Sequence, residues 1–209
     1  MSLRLIETEE DLAAGAAWLA QEVPPFRRAL DLTGPLPLRR RRGGFEALLA
    51  VIVSQQLSVA AADTIWGRLQ AAGLTGPEAL LAAPPERLRA CGLSARKALH
   101  ARALAEAGVD FAALERLGDE EVIARLVALR GIGRWSAEIY AMFSLGRADV
   151  FAAGDLALQE AARLLFGLDA RPGERALRAM AGSWSPWRAV AARALWAYYR
   201  VAKQREGVR

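Results

Sequence analysis

Gly131 and Gly133 flank a single isoleucine, Ile132, in the stretch LRGIGRWSAEIY (residues 129–140), between two runs with helical patterning. Glycine in a helix interior costs about 1 kcal/mol relative to alanine, so two glycines in three residues mark a turn between helices. Glycines that reach positive φ let such a turn close tightly and let another backbone approach it. At the start of the following helix the N–H groups of Gly133, Arg134 and Trp135 would point outward, where they can hold a phosphate. The same spacing also suits an ordinary corner between two helices.

The rest of the chain supports an all-α reading. Its 209 residues suffice for one sizeable core or two small lobes, and 54% are hydrophobic with Ala, Leu and Arg abundant and little strand-type alternation. A net charge of +5 and a sequence pI near 10.1 favour polyanionic partners. Nearly all of the base is arginine, with Lys97 and Lys203 the two lysines, and arginine's planar fork suits phosphate. Cys91 and His100 are the sole cysteine and histidine. That excludes an intrachain disulfide, a four-cysteine iron–sulfur cluster, a cysteine-based zinc site and any histidine-dependent triad. The amino-terminal residues turn acidic where a signal peptide needs an apolar core, and no run of 18 apolar residues occurs, so a soluble, cytoplasmic protein without membrane partners is expected.

Along the chain, Thr8 with Asp11 forms a capping box for a helix to about Gln21, and Pro24-Pro25 opens a short one to about Leu32. The segment TGPLPLRRRRGG (33–44) is a loop by its Pro and Gly content; Arg39, Arg40, Arg41 and Arg42 within it either grip a phosphate backbone or form a solvated charge run. From Phe45 to Leu57 a nearly unbroken apolar run marks a buried helix. Ser58 caps the next, to about Ala72, and helices are expected after Ser94 to about Ala107, from Asp110, and over Asp119 to Arg130. Trp184 and Trp187 read as core.

Two further features carry chemistry. In SQQLS (54–58) the adjacent amides Gln55 and Gln56 interrupt an apolar surface. Asp155 follows Gly154 and precedes an apolar helix to about Phe166, which suits an N-cap. It also suits a carboxylate at a helix mouth facing a cleft.

Taken together, FEALLAVIVSQQLS, CGLSARK, LRGIGRWSAEIYAMFSLGRADVFAAGD and SPWRAVAARALWAYY resemble the helix-hairpin-helix DNA glycosylase superfamily, and within it the alkylation-repair, 3-methyladenine DNA glycosylase II type. The likeness runs from about Phe45 to Tyr199. It implies two helical lobes with a cleft between them. The hairpin, through Gly131, Ile132, Gly133 and Arg134, would clamp DNA phosphates, and the carbonyls of Val127, Leu129 and Ile132 would hold a structural cation. Asp155 matches the superfamily's catalytic aspartate. Trp135 stands where lyase-competent branches carry a lysine, so base removal without strand cleavage is implied. Trp135 and Trp196 match pocket tryptophans, the alternative for Trp196 being a core residue of the last helix, whereas Ile139 and Leu156 stand where tyrosines are frequent, making the pocket greasier. Gln56 takes the position of the wedge that fills the duplex after base extrusion, the alternative for either glutamine being a buried structural amide.

The resemblance further implies a compact form without a β-rich amino-terminal domain: residues 1–44 as helices and basic loop on a glycosylase core, 45–209. The expected activity is excision of N-alkylated purines such as 3-methyladenine and 7-methylguanine from double-stranded DNA, by a monomer needing no cofactor for catalysis and no iron–sulfur cluster. The oxidised-base branches fit less well, given Trp135 and the single cysteine. A non-catalytic lesion-sensing protein is the alternative.

Overall fold

The computed structural model describes residues 3–205. Among these, thirteen α-helices and one 3-10 turn account for the regular structure, and the β pairing is an isolated antiparallel bridge, Leu5 to Arg147. The all-α reading holds. The chain divides into two compact units, residues 1–40 with 141–209, and residues 41–140. This differs from the 1–44 and 45–209 segments read from the sequence, because the first helices pack on the last one.

In the discontinuous unit, α1 (Glu9–Glu22) and α2 (Pro24–Thr33) pack against each other and against α13 (Arg188–Arg205), which also receives α11 (Leu156–Phe166). Thr8 and Asp11 form the expected capping box at α1, with reciprocal bonds of 3.2 and 2.9 Å. The core is aromatic. Trp184, only 1% exposed, meets Phe26 and Phe151 edge-on at 5.2 and 5.3 Å between centroids and stacks on Phe166 at 5.7 Å. Such pairs add about 0.5–1.5 kcal/mol each beyond their burial. Trp187 is buried too, with its ring under the Arg4 guanidinium at 4.7 Å and against Gly15 of α1. Two short pieces, α12 (Glu174–Met180) and the 3-10 turn Ala181–Trp184, lead back to α13.

The continuous unit is organised around α3 (Phe45–Ser54), whose Leu48, Leu49, Val51, Ile52 and Val53 are all buried. It packs on α4 (Val59–Ala71) and on α7 (Ala95–Glu106). The short α5 (Pro77–Ala82) and α6 (Pro85–Ala90) also lean on α7, and α8 (Phe111–Arg116) and α9 (Asp119–Val127) follow. Ser58, Ser94 and Asp110 cap α4, α7 and α8 through their side chains, as their positions predict. Two helices stop about a turn earlier than their apolar patterning suggests. α3 ends at Ser54 because Gln56 takes φ +56°, and α9 ends at Val127 ahead of Gly131, which takes φ +87°. The division between units falls inside α10 (Arg134–Phe143).

The two helix-interior glycines Gly15 and Gly67 make a paired test. A Cβ on Gly15 would fall 2.7 Å from the Trp187 ring and from a Val190 methyl, whereas one on Gly67 meets open space. Gly67→Ala should therefore stabilise the protein by about 0.5–1 kcal/mol through helix propensity alone. Gly15→Ala should destabilise it by about 1–3 kcal/mol through overpacking. Urea unfolding of both variants measures the opposite signs.

Candidate functional site

The glycine-bearing turn closes through the Ile132 N–H, which donates to the Leu129 carbonyl at 3.1 Å, and Ile132 itself is buried. The two glycines have different reasons to be there. Gly131 sits at φ +87° with the His100 ring packed directly on its Cα, so a side chain is barred both by conformation and by space. Burial, then the nearby Arg96 and Arg130 charges, hold His100 below the usual imidazole range, and its buried Nδ1 has no partner. Gly133 has neither constraint: its φ is ordinary and nothing lies within 4 Å of where its Cβ would be. The expectation that both glycines reach positive φ is thus corrected to Gly131 alone.

Gly133 is exposed and its carbonyl accepts the Ala137 N–H at 3.0 Å, starting α10. The amides at such a helix start point away from the helix and carry the positive end of its dipole, so they suit an anion. The Arg134 side chain is not part of that surface. Its guanidinium spans Glu138, which is 1% exposed, at 3.0 Å and both Glu120 oxygens at 3.1 Å. What Arg134 can offer an anion is its backbone N–H. Trp135 and Ile139, both half-buried, lie four residues apart on α10.

The turn after α3 resolves the two glutamines. The Gln55 side chain donates to the Gly131 carbonyl at 3.0 Å and to Ser136 Oγ at 2.9 Å, so it is the structural amide. Gln56 is exposed and holds a left-handed backbone, which non-glycine residues adopt only at a cost of about 1–3 kcal/mol. Lys97 from α7 closes the same turn: its Nζ donates to the carbonyls of Val53 and Gln55, both at 2.7 Å. Sequence reasoning passed over Lys97. The signal was a lysine at a position of its own in a chain whose other basic residues are nearly all arginine.

In the discontinuous unit, Asp155 is the N-cap of α11 and more. Its Oδ1 accepts from the Ala157 and Leu158 N–H groups at 2.9 and 3.0 Å and from the Trp196 indole Nε1–H at 3.2 Å. Three donors on one oxygen fix the plane of the carboxylate. Trp196 is half-buried and tilts against Phe143 at 5.8 Å between centroids. Arg193, 3% exposed, has its guanidinium over the Phe143 ring, 4.6 Å from its centre. Burial, then the Arg39 and Arg40 charges, push Arg193 down to about 10, which still leaves it cationic at neutral pH. Leu156, first residue of α11, is 62% exposed.

The basic run 39–42 is divided in use. Arg40 donates to the carbonyls of Phe143 and Ser144 at the end of α10, while Arg41 and Arg42 are exposed. Among the described residues no cluster of three His, Cys, Asp or Glu side chains is arranged to hold a metal ion. Of the carbonyls at Val127, Leu129 and Ile132, that of Leu129 already accepts the Ile132 N–H.

A model of the HhH-GPD superfamily of base excision DNA repair proteins matches residues 49–187. DNA-3-methyladenine glycosylase 1 of Schizosaccharomyces pombe is 33% identical over 196 residues, covering 88% of this chain and 86% of that protein. The structure superposes on that of the Schizosaccharomyces pombe 3-methyladenine DNA glycosylase in complex with abasic DNA with a TM-score of 0.79, at 32% identity over 88% of this chain and 95% of that one. It superposes on a DNA-3-methyladenine glycosidase from Bacillus halodurans with a TM-score of 0.75, at 34% identity over 95% and 93%. With the matched segment running from α3 to the residue before α13, and so taking in both the glycine turn and Asp155, the chain belongs to the HhH-GPD superfamily of base excision DNA repair proteins.

Proposed function

We propose that this protein is a DNA glycosylase that excises N-alkylated purines from double-stranded DNA, acting as a monomer and without cutting the strand. The observation that carries the reading is the Asp155 carboxylate, oriented by two backbone amides and the Trp196 indole N–H. The 3-methyladenine glycosylases among its relatives support the substrate class.

In this reaction the bond from the sugar C1′ to the purine nitrogen breaks and the electron pair leaves with the base. An N-alkylated purine is already cationic, so it departs neutral. Positive charge builds on the sugar in an oxocarbenium-like transition state. A fixed anion close to that carbon stabilises the charge at no reorganisation cost. Water then adds to C1′ and loses its proton to solvent. Asp155 supplies the carboxylate; its cap bonds keep it aimed. The aromatic faces of Trp135 and Trp196 are assigned to the cationic base, each worth up to about 2 kcal/mol when desolvated. Ile139, on α10 with Trp135, and Leu156, on α11 beside Asp155, are assigned as apolar contacts for the base.

DNA is held at the glycine turn. There the amides of Gly133 and Arg134 take a backbone phosphate, and Gly133 lacks a side chain because the phosphate must come close. The carbonyls of Val127, Leu129 and Ile132 are the groups that would hold a structural cation; hard cations accept carbonyl oxygens, and no step of the reaction passes through it. Gln56, exposed beside this turn's bonding partners, fills the space left by the extruded base.

Asn is as good an N-cap as Asp, so Asp155→Asn should leave melting within a degree or two while single-turnover release of 7-methylguanine falls about a hundredfold or more. Unchanged turnover would reduce Asp155 to a cap, and a protein that binds lesions without releasing any base would be a sensor instead. Borohydride added to a reaction on alkylated duplex should trap no covalent adduct, since Trp135 has no amine to form a Schiff base; a trapped band on a denaturing gel would overturn the strand-sparing assignment. Gly133→Ala should melt like the parent yet bind abasic-site DNA more weakly, with a log–log salt slope shallower by about 0.9, the value for one phosphate contact. Gly131→Ala should instead lose stability, because its positive φ and the His100 ring both exclude a side chain. Titrations across a salt series, with melting curves on the same samples, separate the two.

A further inference from the structure

We propose that Lys97 is a positioning residue for DNA distortion: by gripping the end of α3 it holds the strained Gln56 upright as a rigid wedge, coupled through Gln55 to the phosphate-binding turn. The inference rests on the glycosylase reading above and assigns a role to a residue that never touches the reacting base.

A wedge works against a restoring force. Unstacking and unpairing a base costs a few kcal/mol, and a side chain on a compliant turn would be pushed aside rather than hold the gap open. Gln56 stands at φ +56°, a conformation that persists only where the surroundings over-determine it. Those surroundings are on both sides of the residue. Before it, the backbone carbonyls of Val53 and Gln55 converge on Lys97 Nζ at 2.7 Å each. The Gln55 side chain donates to the Gly131 carbonyl and Ser136 Oγ. After it, the Leu57 N–H returns to the Ser54 carbonyl at 3.2 Å, and the Ser58 hydroxyl caps α4 at 3.3 Å. All of these groups belong to the unit 41–140.

Lysine is the right residue for this bracket. A compact ammonium on a flexible stem can sit where two carbonyls converge, whereas a planar guanidinium distributes its donors in a fixed fork. The carbonyls at a helix end also carry the negative pole of its dipole. Burial holds the Lys97 ammonium below the usual lysine range, so its desolvation is a cost that the two short bonds offset. The arrangement makes one rigid body of the turn that receives the phosphate and the turn that carries the wedge. Phosphate capture then sets where Gln56 enters.

The test is a mutant cycle on Lys97→Met and Gln56→Ala, with three readouts: single-turnover release of 7-methylguanine at saturating enzyme, affinity for undamaged duplex, and fluorescence of 2-aminopurine placed beside a tetrahydrofuran abasic analogue. Lys97→Met should slow release at least tenfold and remove the 2-aminopurine response, while affinity for undamaged duplex stays within twofold. The double variant should be no slower than Gln56→Ala alone, within twofold, because residues acting through one another do not add. Multiplicative losses, or a Lys97→Met protein with the parent's 2-aminopurine response, would overturn the proposal. Should Lys97→Met fail to fold, Ser136→Ala loosens the bracket from the Gln55 side and should give a two- to fivefold loss with the same non-additivity against Gln56→Ala; additivity there overturns it equally. If the parent releases no base but shows the fluorescence change, the glycosylase reading fails and the wedge stands; if it shows no fluorescence change, the wedge fails.

Discussion

Thirteen helices among the described residues create an unusual burden of helix ends, each leaving N–H groups at one end and carbonyls at the other without partners inside the helix. The structure depends on how those ends are satisfied. At five amino ends the answer is a short polar side chain: Thr8, Ser58, Ser94, Asp110 and Asp155. At four carboxyl ends it is a cation. Arg87 reaches the Ala72 carbonyl after α4, Arg102 the carbonyls of Leu80, Leu81 and Ala83 around the end of α5, Arg40 those of Phe143 and Ser144 after α10, and Lys97 those of α3. Four of the 28 basic residues are therefore engaged internally, countering the negative poles of short helices.

Function grows from helix ends of the same type. At α10 the first-turn amides are offered outward by a residue with no side chain in the way. At α11 the capping carboxylate is itself the anion that the proposed reaction needs. The cap and the proposed catalytic role ask for the same thing, a carboxylate held in one plane, so the same hydrogen bonds serve both. Trp196 adds a third donor from α13 and thereby ties the aromatic proposed to bind the base to that carboxylate.

The local part of this was legible in the sequence. Caps, glycines and prolines act over three or four residues, so Thr8, Ser58, Ser94, Asp110 and Asp155 announced their helices, and Trp184 announced the core. What escaped was long-range. Nothing in the neighbourhood of Lys97 says that it meets carbonyls more than forty positions earlier, and nothing near Arg40 says that it closes a helix a hundred positions later. The grouping of residues 1–40 with 141–209 escaped for the same reason: it is set by α1 and α2 meeting α13. The distinction between Gly131 and Gly133 needed both a φ angle and the place of His100. Gln55 and Gln56 look alike as letters, and only the turn geometry sends one inward and the other out.

The left-handed backbone at Gln56 has a consequence for anyone seeking a hardier version of this protein. Glycine, or asparagine, would relax that position and raise the melting temperature, and a design procedure scored on stability alone would select it early. Such a variant would pass every test of folding and solubility while missing the one side chain proposed to enter the helix stack. Residue 56 is where robustness and repair competence pull in opposite directions, and a thermostabilised library should keep it fixed.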